Sequence, residues 1–125
     1  MPTTAGTGSQ RLRYAAVLIG LLSGVSRTQA VDVDIARGQR LAYDVYKGNC
    51  LACHQIPADR SAVSLADIGP PLLRIRERFP NRAALRSQLS DPTARNPQTV
   101  MPPFGKHKIL TEEEIDLIID YIYEY

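Results

Sequence analysis

Cys50-Leu51-Ala52-Cys53-His54 places two thiols three residues apart with an imidazole directly after the second. Thiols at this spacing can add to the two vinyl groups of one haem while the next residue reaches its iron. A cysteine pair alone is equally compatible with a redox disulfide or half of a zinc site; the adjoining His54 shifts the balance to haem. The sequence has two cysteines and two histidines in all, so a zinc site would have to recruit the distant His107. A thioredoxin-like use of the pair requires alternating strands and helices, which the pattern lacks. Both thiols are therefore expected to be consumed as thioethers, with His54 as one axial ligand.

The opposite axial position has few claimants. Met101 is the only methionine besides Met1, and it lies in the irregular run Thr99-Val100-Met101-Pro102-Pro103-Phe104, 47 residues after His54. Prolines after it stiffen the loop, and the intervening chain is long enough to pass around a haem edge. A lone methionine also fills cores. The rival is His107, which would give two imidazoles and a lower potential than a His/Met pair; Lys106 and Lys108 are more distant alternatives. Met101 is the expected ligand. A ligating histidine usually donates its second ring N–H to a fixed acceptor, and the turn Gly69-Pro70-Pro71-Leu72 can supply the Pro70 carbonyl, though it reads equally as a loop stiffener. No residue is assigned a catalytic role.

These residues need elements to hold them. Asp34 can cap a helix running to about Lys47, with Ile35, Leu41, Ala42, Val45 and Tyr46 as its apolar stripe and Gly48-Asn49 as its stop. Residues 55–71 contain Pro57, Gly69, Pro70 and Pro71 without periodicity and read as a wrapping loop. A short helix is expected over Leu72 to Arg78. Asn81 can cap another from Arg82 to about Leu89, ended by Asp91-Pro92. Residues 91–110 are irregular again. The clearest element follows: Thr111 and Glu114 form a capping box, three acids occupy the first turn, and Ile115, Ile118, Ile119 and Ile122 share one face.

Ahead of these elements, Arg11 and Arg13 precede an apolar stretch from Ala15 to Val25, 11 residues long and too short for the roughly 20 needed to span a membrane. Thr28 and Ala30 follow in cleavage-site spacing, so residues 1–30 are expected to be a signal peptide removed on export to the periplasm. The remainder, 31–125, is one small domain with no membrane span, for which a large apolar cofactor would add considerably to the core. Removing the leader's three arginines takes the net charge from +2 to −1, giving no reason to expect a nucleic-acid partner. Charge is segregated: residues 60–95 carry seven arginines against three acids, and 111–125 carry six acids and no base. Two solvated helix faces explain most of this; the arginines from Arg74 to Arg86 are the candidate docking contributors.

Gly48-Asn49-Cys50-Leu51-Ala52-Cys53-His54, Ile68-Gly69-Pro70-Pro71-Leu72 and Asn96-Pro97 through Met101-Pro102-Pro103-Phe104-Gly105, followed by Leu-Thr-Glu-Glu-Glu-Ile, resemble the SoxX family, the monohaem cytochrome subunits of the bacterial sulfur-oxidation system. The likeness extends over essentially all of 31–125. It implies an all-α class I cytochrome c fold whose first and last helices cross beside the haem, with Tyr46 and Tyr121 meeting near that crossing. It also implies ligation matching His54 and Met101. The family pairs with a second cytochrome, SoxA, and the complex couples thiosulfate oxidatively to a cysteine of a carrier, SoxYZ, as an L-cysteine S-thiosulfotransferase. Electrons would pass to a downstream acceptor. With both cysteines spent as thioethers, the reactive sulfur would sit on the partner. The other reading is a free-standing periplasmic electron carrier.

Overall fold

A computed structural model describes Met1 and residues 25–125, with side chains from residue 29 onward. Of the expected leader core, Ala15 to Val25, residues 15–24 lie outside the described residues. The chain divides into two compact units, Met1–Val33 and Asp34–Tyr125, and every feature below belongs to the second unless stated. Among the described residues the elements are helical throughout: α1 (Val25–Tyr43), α2 (Ile75–Arg78), α3 (Arg82–Ser90) and α4 (Glu112–Ile122), with 3₁₀ turns at Cys50–Ala52 and Pro92–Ala94. No helix among them is long and apolar enough to cross a membrane.

Two expectations about the first helix are corrected. Asp34 does not cap it, because α1 already runs from Val25; the Asp34 carboxylate instead lies 3.4 Å from Arg37. The helix also ends at Tyr43, four residues before Lys47. There the Asp44 carboxylate accepts the Tyr46 N–H at 2.8 Å, and Gly48 N–H returns to the Leu41 carbonyl at 3.0 Å. That local turn competes with helix continuation. Tyr46 is left 90% exposed, so it is Tyr43 that meets Tyr121, edge to face with ring centroids 6.1 Å apart.

α4 is the centre of the domain. Its capping box forms as expected, with Thr111 Oγ1 accepting the Glu114 N–H and Glu114 accepting the Thr111 N–H. Ile115, Ile118 and Ile119 are at most 1% exposed, each such side chain stabilising the fold by about 1.5–3 kcal/mol. α1 meets α4 through Gly38: a Cβ there would stand 1.9 Å from the Leu117 carbonyl oxygen and 2.9 Å from Tyr121 Cβ. Glycine in a helix costs about 1 kcal/mol relative to alanine; here it permits backbone-to-backbone approach. Lys47 to Glu114 at 2.8 Å and Arg37 to Glu113 at 3.0 Å flank the contact.

α3 begins at the expected cap, Asn81, whose side chain accepts the Ala83 N–H at 2.8 Å. It inserts Leu85 and Leu89 into the core beside Phe104, Leu110 and α4. Its outer face answers the charge segregation. Arg82 contacts Asp120 at 2.5 Å, and Arg86 pairs with Asp116 and with Glu112, the latter at 2.6 Å. Arg76 stacks over the Tyr123 ring at 4.8 Å and donates to the Tyr123 carbonyl at 2.9 Å; Arg78 donates to the Pro71 carbonyl at 3.0 Å. Much of the arginine-rich segment is thus engaged within the chain.

The wrapping loop 55–71 has no regular element and is tied down at Asp59. One carboxylate oxygen accepts from Gln39 (2.8 Å), Tyr43 (2.7 Å) and Tyr121 (2.7 Å), the other from the Ser61 amide (2.8 Å) and hydroxyl (2.7 Å). Burial by itself would raise the Asp59 pKa, but the hydrogen bonds from Ser61, Tyr121, Tyr43 and Gln39 outweigh it and hold the carboxyl well below the usual carboxylate range. Desolvation and the neighbouring Asp59 push Tyr121 far above the ordinary phenol value. One carboxylate therefore joins the loop to both α1 and α4.

Candidate haem site

Cys50, Cys53 and His54 share one tight turn. Asn49, in the left-handed region at φ 46°, turns the chain out of the preceding segment. Cys53 and His54 N–H groups then both donate to the Cys50 carbonyl, at 3.2 and 2.8 Å. The thiols are free and half-buried. Burial pushes the Cys50 pKa up to about 12, with Cys53 adding to the rise and a backbone hydrogen bond opposing it. A thiol held neutral in this way is a poor redox nucleophile, which argues against a dithiol–disulfide function. Among the described residues no three His, Cys, Asp or Glu side chains are grouped to hold a metal ion.

The loop returns to His54 on two backbone hydrogen bonds, Gly69 N–H to the Cys53 carbonyl and Leu72 N–H to the Gln55 carbonyl, both 2.8 Å. These deliver the Pro70 carbonyl to 2.7 Å from His54 Nδ1. A carbonyl only accepts, so Nδ1 carries the hydrogen and Nε2 is left as the basic nitrogen, the tautomer an iron ligand requires. Gly69 lies against the ring: a Cβ on it would fall 2.2 Å from Cε1, 2.5 Å from Nδ1 and 2.8 Å from Nε2. Only a glycine leaves room for the imidazole there.

Met101 is carried by a loop pinned to the end of α3. Phe104 N–H donates to the Leu89 carbonyl at 3.2 Å, and the Gly105 and Lys106 N–H groups donate to the Ser90 carbonyl at 3.2 and 3.0 Å. Lys106 also reaches Asp91 at 2.8 Å. Met101 is half-buried against the core that also receives Cys50, and Gln88 Nε2 donates to its sulfur at 3.7 Å. His107 and Lys108 are exposed.

The family model for cytochrome C oxidase, cbb3-type, subunit III, matches residues 36–122, a span holding the attachment turn, Pro70 and Met101. The chain belongs to this family. As a member it is a c-type cytochrome domain of the class I helical kind, an electron-transfer protein with covalently bound haem. The match is to such cytochromes broadly and does not single out SoxX. An uncharacterized lipoprotein of Aquifex aeolicus (strain VF5) is 32% identical over 78 residues, which are 62% of this chain and 37% of that protein. The chain thus spans well under half the length of this relative.

The residues present suit the haem. Two free thiols and a histidine of the right tautomer lie on one turn, with a glycine cradle behind the imidazole. Apolar Ile68 (64% exposed) and Val100 (77% exposed) are neighbours of Gly69 and Met101 in sequence. When bound, haem supplies a one-electron ferric/ferrous couple. Cys50 and Cys53 would hold it, Pro70 would orient His54, and Gly69 would let the ring stand close to the loop. Sequence reasoning missed Gly69's part, Gln88 and the Asp59 anchor. Only Gly69 left a local signal, as a glycine beside Pro70, whose carbonyl accepts from His54.

Proposed function

We propose that the chain is a one-electron relay whose haem is joined to Cys50 and Cys53 and ligated by His54 and Met101. We further propose that it serves as the electron-transfer subunit of a SoxAX-like, two-cytochrome complex acting on thiosulfate in the periplasm, after removal of residues 1–30. The observation that carries the relay reading is the Pro70 carbonyl 2.7 Å from His54 Nδ1, which presents Nε2 beside two unpaired thiols. With Met101 in the sixth position, substrates are kept off the iron and electron transfer proceeds without bond-making. The SoxAX-like part is supported by the ordered motifs around Cys50, Pro70 and Met101.

In that complex, joining thiosulfate sulfur to a SoxYZ-like carrier's cysteine forms an S–S bond and releases two electrons and the thiol proton. A single haem accepts one electron at a time, so this subunit must discharge to a downstream acceptor between steps. The reactive sulfur belongs to the SoxA-like partner, because thioethers leave this chain no thiol. The pair then acts as an L-cysteine S-thiosulfotransferase with this chain as its non-catalytic half.

A second reading is a free-standing carrier, because the family match covers the cytochrome domain alone and holds for either role. Purifying the protein gently from its native periplasm and assaying thiosulfate-dependent haem reduction decides between them. Copurification of a second cytochrome, with reduction lost on separation, establishes the subunit reading. A monomer that exchanges electrons equally well alone makes it a free carrier.

A further inference from the structure

We infer that Gln88 is a positioning residue for Met101, donating a hydrogen bond to the thioether sulfur that fixes which lone pair faces the iron and raises the haem potential. The inference rests on the Met101 ligation proposed above and adds to it a named tuning group. Gln88 Nε2 lies 3.7 Å from Met101 Sδ, within reach of an N–H to sulfur contact. The placement follows from α3. Leu85 and Leu89 are buried in the core, which leaves Gln88, one residue before Leu89, half-buried at the edge of that face.

The same end of α3 fixes the loop that carries the sulfur. The Leu89 and Ser90 carbonyls accept from Phe104, Gly105 and Lys106, and a Cβ on Gly105 would meet Ser90 atoms at 3.1 Å. Met101 N–H is in turn held by Thr99 Oγ1 at 3.2 Å. Backbone and side chain of Met101 are thus both located, the first by its loop and the second by Gln88.

Sulfur in a thioether has two lone pairs. If one takes the Gln88 N–H, the other alone remains for the metal, so the configuration at sulfur is set. The N–H withdraws electron density from sulfur and places a positive dipole end near the iron. Both effects disfavour the ferric state, and hydrogen bonds to ligating sulfur tune potentials by this route. Removing the donor lowers the potential.

The test uses the haem-loaded protein with Gln88→Leu, which keeps bulk and helix preference but has no N–H, and Gln88→Glu, which replaces the donor by an acceptor. Three readouts apply: the midpoint potential, the charge-transfer band from methionine sulfur to ferric iron, and the shifted Met101 methyl resonance. The expected result is a retained band, a displaced methyl resonance and a lower midpoint, further lowered in Gln88→Glu. At the unsubstituted protein's midpoint the ferric-to-ferrous ratio should rise about three- to tenfold, tenfold being about 59 mV for one electron. Both variants at an unchanged midpoint with the band intact overturn the role of Gln88 and leave Met101 ligation standing. Absence of the band in the unsubstituted protein overturns both.

Discussion

Gly38 of α1 faces the Leu117 carbonyl of α4 so closely that a Cβ on it would stand 1.9 Å from the oxygen. The obstacle is backbone, and α4 is held on its far side by Ile115, Ile118 and Ile119, so it cannot retreat without opening the core. Gly38→Ala therefore forces the helices apart even though alanine is the better helix former. We expect a loss of about 1–3 kcal/mol, read as a lower urea midpoint of the holoprotein at unchanged slope. A stability equal to that of the unsubstituted protein would show that the close approach is dispensable.

Gly69 makes the corresponding demand at His54, where a methyl would overlap three ring atoms. In Gly69→Ala the imidazole must tilt, and its 2.7 Å hydrogen bond to Pro70 lengthens. That bond raises the basicity of Nε2, so its weakening favours the ferrous state. The expected outcome is a higher midpoint potential with both thioethers still formed, checked by redox titration and by the mass of the protein–haem adduct. A midpoint within error of the unsubstituted protein would contradict the cradle.

Acid should release the Asp59 anchor. Its folded-state pKa lies below the unfolded value of 3.8, so the carboxylate contributes stability fully present above that value and lost as pH falls through the folded one. Glu114, lowered by Lys47 and by the Thr111 amide from 4.5, acts in the same direction from slightly higher pH. The holoprotein's melting temperature should decline steadily below about pH 4. Asp59→Asn should start lower and follow a shallower acid limb, because the group that titrates is gone. Parallel limbs in the two proteins would mean the anchor does not depend on ionised Asp59.

What could be foreseen depended on how local each feature is. The attachment motif, the Thr111–Glu114 capping box and the Asn81 cap each close within five residues, and all were legible in the sequence. The resemblance implies Tyr46 at the helix crossing, which fits a first helix running to Lys47. An Asx turn at Asp44 decides that end, and a shift of three residues brings Tyr43 to Tyr121 in its place. The Asp59 anchor draws partners from residues 39, 43, 61 and 121, and no sequence window contains that set. Gln88 reads as an ordinary polar position on an amphipathic helix until the Met101 loop folds over the end of α3.

Charge segregation led to an arginine docking surface, and the ion pairs change what mutation should do. Arg86 is shared between Asp116 and Glu112, and its side chain is 30% exposed. Arg86→Ala should cost about 0.5–1 kcal/mol, the scale of exposed pairs joined in a network, with a smaller loss at high salt. The salt dependence of partner association should be little altered, because Arg86 is already engaged by two carboxylates of its own chain. A changed salt slope in a binding titration would return Arg86 to the docking surface.

Met101→Ala is the decisive substitution for the iron. Met101 lies on a loop pinned to Leu89 and Ser90, so truncating its side chain leaves those backbone bonds in place. The fold should lose about 2–3 kcal/mol from the half-filled space but remain assembled on its thioethers. On the proposed ligation, losing the Met101 thioether opens the sixth position to water or to an exposed base and removes the ligand that raises the potential. The sulfur–iron charge-transfer band should vanish and the midpoint fall well below that of the unsubstituted protein. His107→Ala, which changes an exposed side chain, should leave both unmoved. If instead Met101→Ala keeps spectrum and potential while His107→Ala alters them, the sixth ligand is His107, and the relay works at a lower potential with different acceptors within reach.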